Sequence, residues 1–355
     1  MRPADPLRDT YAWPSGKRID GDGRRMQTSE LEPRAILQAL GIVGPVSAVP
    51  CSGGSDTAIW RVEHGGACYA LRVFRVEQAE TCRREVAALA AAVDGGIPAP
   101  LIHAEGVWRD RPALLLSWLP GRPIGDVLAA RPWLAPRLGV LFGRMQAAIH
   151  RLPAPDALRA PDRGWITWGG AAGEPLRRRL QALAGDSDAL LHLDYHPLNV
   201  LTDGARITAV LDWANAHAGD PRADAARTYT ILRLDAADPL RSTLAARGML
   251  RLFEWGWRHG YERAMPDQGD RAPFYAWAGA VMGRDLAAKR GPDSLARMIK
   301  WTEEWTRRAS GRSSMPAWAG SPGSAGETPA LPGLSRVGVN RRASGSDAPY
   351  MRLTL

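Results

Sequence analysis

One segment limits what this 355-residue chain can fold into more than any other, because its polar residues stand at loop-forming positions. The segment reads His192-Leu193-Asp194-Tyr195-His196-Pro197-Leu198-Asn199. Pro197 has no N–H to donate and its ring fixes φ, so the residues between Asp194 and Asn199 are predicted to form a loop and not a helix. The predicted loop therefore presents a histidine, a carboxylate and an amide at fixed spacing.

The residues that follow this loop predict a β-hairpin. Residues 199–202 and 207–211 have the character of short strands, and Asp203-Gly204 between them is a favourable turn pair. A hairpin of this size brings its two ends together. Asn199, at its start, and Asp212, just past its end, are therefore predicted to lie side by side.

These residue types, in this order, are the groups that phosphoryl transfer requires. Asp194 can accept a proton from a substrate hydroxyl, and His192 is predicted to brace the loop by hydrogen bonding. Asn199 and Asp212 supply two oxygen ligands, which suit a magnesium ion that keeps its other positions for water and phosphate oxygens. The segment and the hairpin together predict a phosphoryl-transfer site.

The chain resembles the aminoglycoside phosphotransferase and choline kinase-like family, a branch of the protein-kinase-like fold. The family typically has a His-Gly-Asp-Leu-His-Pro-Gly-Asn-type loop, an Ile-Asp-Trp-type metal motif and a Gly-Asp-Pro-x-x-Asp segment. Here Leu211-Asp212-Trp213 matches the metal motif and residues 219–224 match the last segment at every fixed position, whereas Leu193 and Leu198 replace common glycines. The resemblance covers roughly residues 35–305 and implies phosphorylation of a small-molecule hydroxyl, with ATP and Mg²⁺ as cofactors.

The same resemblance implies an α+β fold of two lobes. A small N-lobe with an antiparallel sheet and one helix would bind the nucleotide (residues 26–119), and a larger, mainly helical C-lobe would hold the catalytic and substrate groups (residues 120–310). Residues 1–25 and 311–355 are rich in residues such as Pro and Gly, without apolar periodicity. We expect both ends to be disordered, because they cannot bury enough apolar surface to offset the entropy of ordering.

A glycine-containing turn is predicted between two early strands, at residues 52–56. Gly53, Gly54 and Ser55 would allow backbone N–H groups to approach phosphate. The turn is neither a P-loop nor a complete G-x-G-x-x-G motif, and the alternative interpretation is an ordinary hairpin turn.

Arg72 lies on the next predicted strand, residues 68–74, and Glu85 lies on a segment of helical periodicity, residues 81–89. The resemblance implies that the basic residue at Arg72 contacts the ATP phosphates and that Glu85 holds it. The alternative is that Arg72 is an edge charge and Glu85 pairs with a helical neighbour. Protein kinases use lysine here, but this chain favours arginine generally, with only three lysines in all.

An apolar strand at residues 113–119 runs into the break Pro120-Gly121. The resemblance makes this strand the hinge between the lobes, with backbone groups from Ser117 to Leu119 hydrogen-bonded to adenine. Apolar residues at helical spacing over 138–150 predict a core helix of the larger lobe.

Composition excludes several other classes of protein. The net charge of +9 falls partly on the two ends, and no nucleic-acid-binding module is recognised, so we expect no nucleic-acid partner. No apolar run reaches the ~18–20 residues of a membrane span and no signal peptide opens the chain, so we expect no membrane partner. Cys51, Cys68 and Cys82 lack metal-ligand spacing and predict reduced thiols in a cytoplasmic protein. The oligomeric state is not predicted.

The phosphate acceptor stays open among an aminoglycoside, a sugar, an amino alcohol, homoserine and other small molecules, as does the choice between ATP and GTP. A polycationic aminoglycoside would be expected to meet clustered carboxylates, and no cluster stands out in the sequence. The alternative function is a nucleotide-binding pseudokinase with a regulatory or scaffold role. The joint presence of Asp194, Asn199 and Asp212 argues against that alternative.

Overall fold

The structure is a computed structural model. It describes the following parts of the chain: residues 31–51, 57–159, 164–170, 174–235, 243–266, 269–287 and 290–311. The predicted disordered segment 1–25, nearly all of 311–355 and the predicted phosphate turn with Gly53, Gly54 and Ser55 lie outside these residues.

A five-stranded antiparallel sheet forms the core of the smaller lobe. Its strands are β1 (Val46–Pro50), β2 (Ala58–His64), β3 (Ala67–Val73), β4 (Ile102–Trp108) and β5 (Arg111–Ser117). They lie in the order β1-β2-β3-β5-β4, so β3 is central. A short helix, α1 (Pro33–Ala39), precedes the sheet, and the long helix α2 (Ala79–Asp94) connects β3 to β4.

The two faces of this sheet pack into two different hydrophobic cores, because successive side chains on a strand point to opposite sides. Leu71 packs with Ile36 of α1 in a small core on one face. Ala70, the next residue along β3, joins the large core that continues into the other lobe. Arg72 is in register with Ile59, which belongs to that large core, so the Arg72 side chain is directed towards the larger lobe.

The larger lobe is mainly helical. Its described helices are α3 (Ile124–Ala130), α4 (Ala135–His150), α5 (Glu174–Ala184), α6 (Pro221–Thr230), α7 (Leu244–Ala264), α8 (Ala272–Leu286) and α9 (Pro292–Ala309). Its short strands are β6 (Arg122–Pro123), β7 (Ala189–Leu191), β8 (Val200–Thr202), β9 (Ile207–Val210) and β10 (His217–Gly219). The predicted α+β class with two lobes is confirmed. No helix in the ranges given above has the length and apolar content of a membrane span.

Helices α4 and α7 cross at very close range, which four glycines make possible. A Cβ atom on Gly139 or Gly143 of α4 would collide with the backbone of α7. A Cβ atom on Gly256 or Gly260 of α7 would collide with the backbone of α4. This approach brings polar side chains of both helices into the interior, beneath the loop that carries Asp194.

Candidate active site

The loop from His192 to Asn199 connects β7 to β8 and contains no regular secondary structure, as predicted. Asp194 and Asn199 are both buried, and the Asn199 Nδ2 group donates to the Asp194 carbonyl oxygen at 3.0 Å and to Oδ2 at 3.3 Å. His196 Nε2 lies 3.7 Å from the same Oδ2 atom. The Asn199 amide therefore orients the Asp194 carboxylate, and the His196 ring lies beside it.

His192 connects this loop to the metal motif. Its Nδ1 atom accepts the Asp194 backbone N–H at 3.3 Å, and Nε2 lies 3.0 Å from the Leu211 carbonyl oxygen. These partners assign the neutral tautomer with the proton on Nε2. Complete burial lowers the pKa of His192, which favours the same neutral form. The structure thus places His192 as a brace between two backbone segments.

The hairpin brings the two predicted metal ligands together. Strands β8 and β9 are paired, and the Leu211 N–H donates to the Asn199 carbonyl at 2.8 Å. Asp212 is the residue after Leu211, so its backbone lies next to that of Asn199. Because the Asn199 amide nitrogen is bonded to Asp194, its amide oxygen is the atom left to bind a metal. An amide oxygen beside a partly exposed carboxylate is a donor set that fits magnesium.

Arg72 makes two ion pairs, one within the smaller lobe and one to the larger lobe. Its Nη1 atom lies 2.6 Å from Glu85 Oε1 of α2, and Nη2 lies 3.0 Å from Asp212 Oδ1. Burial raises the pKa of Glu85 to about 7, although the adjacent guanidinium favours the charged form. The buried Nε–H of Arg72 has no hydrogen-bond partner in the described part of the chain, and a phosphate oxygen would satisfy it. The contact with Asp212 was not foreseen from sequence.

The predicted hinge follows β5, and its backbone groups differ in availability. The Ser117 N–H donates to the Leu101 carbonyl, and the Ser117 hydroxyl accepts the Leu101 N–H. The Trp118 N–H donates to the Cys68 carbonyl at 3.3 Å. No hydrogen bond of the Leu119 N–H is found within the described residues, so this is the predicted hinge N–H that is available to donate to a ligand.

Asp224 of α6 holds the backbone at the start of the 192–199 loop, a role that was not predicted from sequence. Asp220 caps the N-terminus of α6 and Pro221 begins it, which places Asp224 one turn into the helix. The Asp224 carboxylate accepts the N–H groups of His192 at 3.2 Å and Leu193 at 2.8 Å. The only sequence signal was the match of residues 219–224 to a family segment.

A buried histidine holds Asp224 in turn. His150 Nε2 lies 2.8 Å from Asp224 Oδ2, and His150 Nδ1 lies 2.7 Å from the Tyr261 hydroxyl. Burial alone would raise the pKa of Asp224, but the hydrogen bonds and electrostatic interactions with His150 and His192 outweigh burial and lower the pKa. Asp224 therefore stays ionised beneath the loop.

Leu193 adopts a left-handed backbone conformation, with φ 60°. Its N–H is held by Asp224, and its carbonyl accepts Arg227 Nε at 3.3 Å. Its side chain is fully buried in the large core. The family's usual glycine is thus replaced here without loss of the glycine-like backbone angle.

Comparison with known proteins agrees with this geometry. Residues 47–261 match the model of the phosphotransferase enzyme family, and the chain belongs to that family. No curated protein sequence matches the chain.

Solved structures share the fold at low sequence identity. A protein from Ralstonia eutropha JMP134 assigned as an aminoglycoside phosphotransferase has 16% identity and a TM-score of 0.56, over 78% of this chain and 97% of its own. A thermostable mutant of aminoglycoside phosphotransferase APH(4)-Ia, in complex with AMP-PNP and hygromycin B, has 18% identity and a TM-score of 0.54, over 80% and 99%. A protein from Haemophilus somnus 129PT assigned as a fructosamine-3-kinase has 13% identity and a TM-score of 0.53, over 77% and 95%. These similarities establish the kinase-like fold.

Proposed function

We propose that this protein transfers the γ-phosphoryl group of ATP, in the presence of Mg²⁺, to a hydroxyl of a small molecule. The observation that carries the proposal is the convergence of Asp194, Asn199, Asp212 and Arg72 from both lobes. Membership of the phosphotransferase family supports the same reaction class. On this proposal, residues 26–119 bind the nucleotide and residues 120–310 hold the catalytic and substrate groups.

Each residue has a distinct role in the proposed reaction. When bound, magnesium neutralises charge on the phosphate oxygens, and Asn199 and Asp212 would hold it. Arg72, fixed by Glu85, would donate to phosphate oxygens. Asp194 would orient the acceptor hydroxyl and take its proton as the oxygen attacks phosphorus.

The proposed adenine contact is the Leu119 N–H at the hinge. Ser117 belongs to the same predicted contact, but its N–H and hydroxyl are engaged with Leu101. The predicted turn with Gly53, Gly54 and Ser55 lies outside the described residues and stays a proposal for phosphate binding.

Charge pairing in the larger lobe bears on the acceptor. Carboxylates of α7 and α8 are already paired with arginines, in the pairs Arg233–Glu254, Arg271–Glu262 and Arg284–Asp285. A polycationic acceptor would have to compete with these guanidinium groups. The pairing therefore favours a neutral or less cationic acceptor, such as a sugar or an amino alcohol, over an aminoglycoside.

The alternative of a pseudokinase gains no support from the family or the structural neighbours. A regulator that only binds nucleotide has no use for the orientation of the Asp194 carboxylate by the Asn199 amide. Release of ADP in the presence of a suitable acceptor separates the two functions.

The test is Asp194→Asn, measured as ADP release with magnesium, ATP and a panel of sugars, amino alcohols, homoserine and aminoglycosides. The substitution keeps the shape but removes the proton acceptor, so turnover should fall roughly 10²–10⁴-fold while ATP binding is retained. Asp203→Asn is the matched control, because Asp203 lies in the turn of the adjacent hairpin and its Oδ1 accepts the N–H of Ala205. Near-parent turnover in Asp194→Asn would reject the role of Asp194, and a parent protein that binds ATP but turns over no acceptor would favour the pseudokinase.

A further inference from the structure

Tyr195, the residue directly after Asp194, is held at both ends. Its carbonyl oxygen accepts the Thr228 hydroxyl at 2.9 Å, and its own hydroxyl donates to the Phe142 carbonyl at 2.8 Å. Its ring stacks on the Phe142 ring with centroids 4.2 Å apart, and the side chain is fully buried. Tyr195 therefore cannot shift without breaking buried hydrogen bonds.

The Thr228 hydroxyl is the end of a longer chain of hydrogen bonds. Gln146 Nε2 of α4 donates to Thr228 Oγ1 at 2.8 Å, and Trp257 Nε1 of α7 donates to Gln146 Oε1 at 2.8 Å. All three side chains are buried. The chain starts at the crossing of α4 and α7 and ends on the backbone next to Asp194.

The donor-to-acceptor direction of this series of hydrogen bonds is determined by its first member, Trp257. An indole N–H can only donate, so the Gln146 oxygen must face Trp257 and the Gln146 amide nitrogen must face Thr228. The Thr228 oxygen then accepts from Gln146, which leaves its hydroxyl proton to the Tyr195 carbonyl. Each donor has one acceptor, and no member can reverse without leaving a buried polar group unpaired, which is unfavourable.

Asp194 thus lies between two separate restraints on the main chain. Before it, Asp224 holds the N–H groups of His192 and Leu193. After it, Thr228 holds the Tyr195 carbonyl. Both restraints come from α6, so the helix holds the backbone on either side of the proposed proton acceptor.

We propose that Trp257, Gln146 and Thr228 form a positioning relay, which sets the placement of the Asp194 carboxylate for phosphoryl transfer. The activity part of this inference rests on the proposed function. A carboxylate displaced by a fraction of an ångström loses much of the advantage of alignment, since a misplacement of ~1 Å can cost about 10²-fold in rate. The relay acts through backbone position and makes no contact with the reacting groups.

The test compares Thr228→Val with Thr230→Val. Both threonines are fully buried on α6, and valine keeps the shape while removing the hydroxyl. The Thr230 hydroxyl donates only within its own helix, to the Ala226 carbonyl, so its loss leaves the relay intact. The probe is magnesium-ATP with water as the acceptor, and hydrogen–deuterium exchange of residues 192–199 is measured in parallel.

We expect Thr228→Val to lower kcat for ATP hydrolysis by about 10-fold or more, with KM for ATP within about twofold of the parent. Exchange in residues 192–199 should be faster than in the parent. Thr230→Val should match the parent in both measurements. Thr228→Ser, which keeps the hydroxyl, should restore kcat, a recovery that a purely volumetric role of Thr228 does not give.

Equal kcat and equal exchange in Thr228→Val and the parent would overturn the relay. If Thr228→Val does not fold, Trp257→Phe decides the matter, because it removes the first donor and keeps an aromatic ring; parent-like exchange in that variant would also overturn the relay. A parent protein that hydrolyses no ATP and phosphorylates no acceptor would defeat the proposed function alone. The exchange comparison still tests the relay in that case, since it needs no turnover.

Discussion

Leu193, directly before Asp194, and Asp212, a proposed metal ligand, both have left-handed backbone conformations, with φ 60° and 64°. Each such angle costs a non-glycine residue roughly 1–3 kcal/mol and persists only where the surroundings impose it. The surroundings at Leu193 are two charged side chains, one on its N–H and one on its carbonyl. The local strain is therefore offset by charge-assisted hydrogen bonds, which are stronger than neutral ones.

Arg72 is the residue at which substitutions discriminate most sharply between a functional and a structural role. Its two terminal nitrogens contact two different carboxylates, of Glu85 and Asp212. We expect Arg72→Ala to lower kcat/KM for ATP by about 10- to 100-fold, the equivalent of one charge-assisted hydrogen bond. Arg72→Lys should retain partial activity, because charge is kept but the fork that spans both carboxylates is lost.

Steady-state kinetics with varied ATP measures this difference. Glu85→Gln should be milder than Arg72→Ala, since it loosens the guanidinium without removing it. Arg83→Ala is the control, because Arg83 is an exposed arginine of α2 that pairs with Glu80. Parent-like kcat/KM in Arg72→Ala would leave Arg72 as a structural ion pair only.

At the scale of elements, replacing glycine by alanine should have opposite effects on the free energy of unfolding at two positions, one inside the crossing of α4 and α7 and one outside it. In Gly143→Ala, the new methyl group meets the Trp257 backbone, and the helices must separate, at a cost of about 1–3 kcal/mol. In Gly248→Ala, on the exposed side of α7, nothing lies within 4 Å of the new methyl. That substitution should stabilise the protein by about 0.5–1 kcal/mol, because alanine loses less entropy in a helix.

Urea unfolding of both variants against the parent measures the two free energies of unfolding. The paired design removes the general effect of replacing glycine by alanine in a helix. Stabilisation by Gly143→Ala would show that the helices can move apart freely, and that the close approach has no energetic importance.

Sequence patterns predicted helices and strands well where the spacing of apolar residues within the segment itself was regular. The predicted helix over 138–150 is part of α4, and the predicted strand over 68–74 coincides closely with β3. β4 is an edge strand with only alternate residues partly buried; His103, Glu105 and Gly106 interrupt its apolar residues, and it was not predicted. The crossing of α4 and α7 could not be predicted either, since glycine weakens a helical pattern and the partner lies over one hundred residues away.

The same limit applies to the site. Arg72 and Glu85 were predicted as a pair because the family resemblance implies it, and the strand and the helix that carry them were recognisable from local patterns. Asp224, Thr228 and Gln146 act on the loop through hydrogen bonds between distant segments, and no periodicity reports such bonds. Residue types indicate which groups take part in the chemistry, whereas the groups that position them emerge only from the fold.

At the scale of the whole molecule, buried histidines make stability depend on pH. Burial lowers the pKa of His217 to about 4, whereas an unfolded chain takes up this proton near pH 6.5. Between these values the unfolded state binds the extra proton, so the free energy of unfolding falls as pH is lowered. Glu85 acts in the opposite direction, because its raised pKa lets the folded state bind a proton more tightly between about 4.5 and 7.

We expect His217→Gln to flatten the pH dependence of stability between about pH 6.5 and 4. The slope of the free energy of unfolding should fall by up to about 1.4 kcal/mol per pH unit, the contribution of one proton. Denaturant unfolding at half-unit pH intervals measures the slope. His259→Gln, which removes an exposed imidazole on α7, is the control, and an unchanged slope in His217→Gln would contradict the role assigned to burial.

The crossing of α4 and α7 also sets an order of events during synthesis. The ribosome completes residues 192–199 well before it reaches α7. Trp257 and Tyr261 of α7 nevertheless begin the two series of hydrogen bonds that reach those residues through α6. Trp257 and Gln146 are 111 positions apart, and contacts at such separation form late in folding. A growing chain can therefore complete its smaller lobe and its hairpin while Asp194 is still unaligned. We expect competence for phosphoryl transfer to be acquired at a late step, when α7 docks on α4.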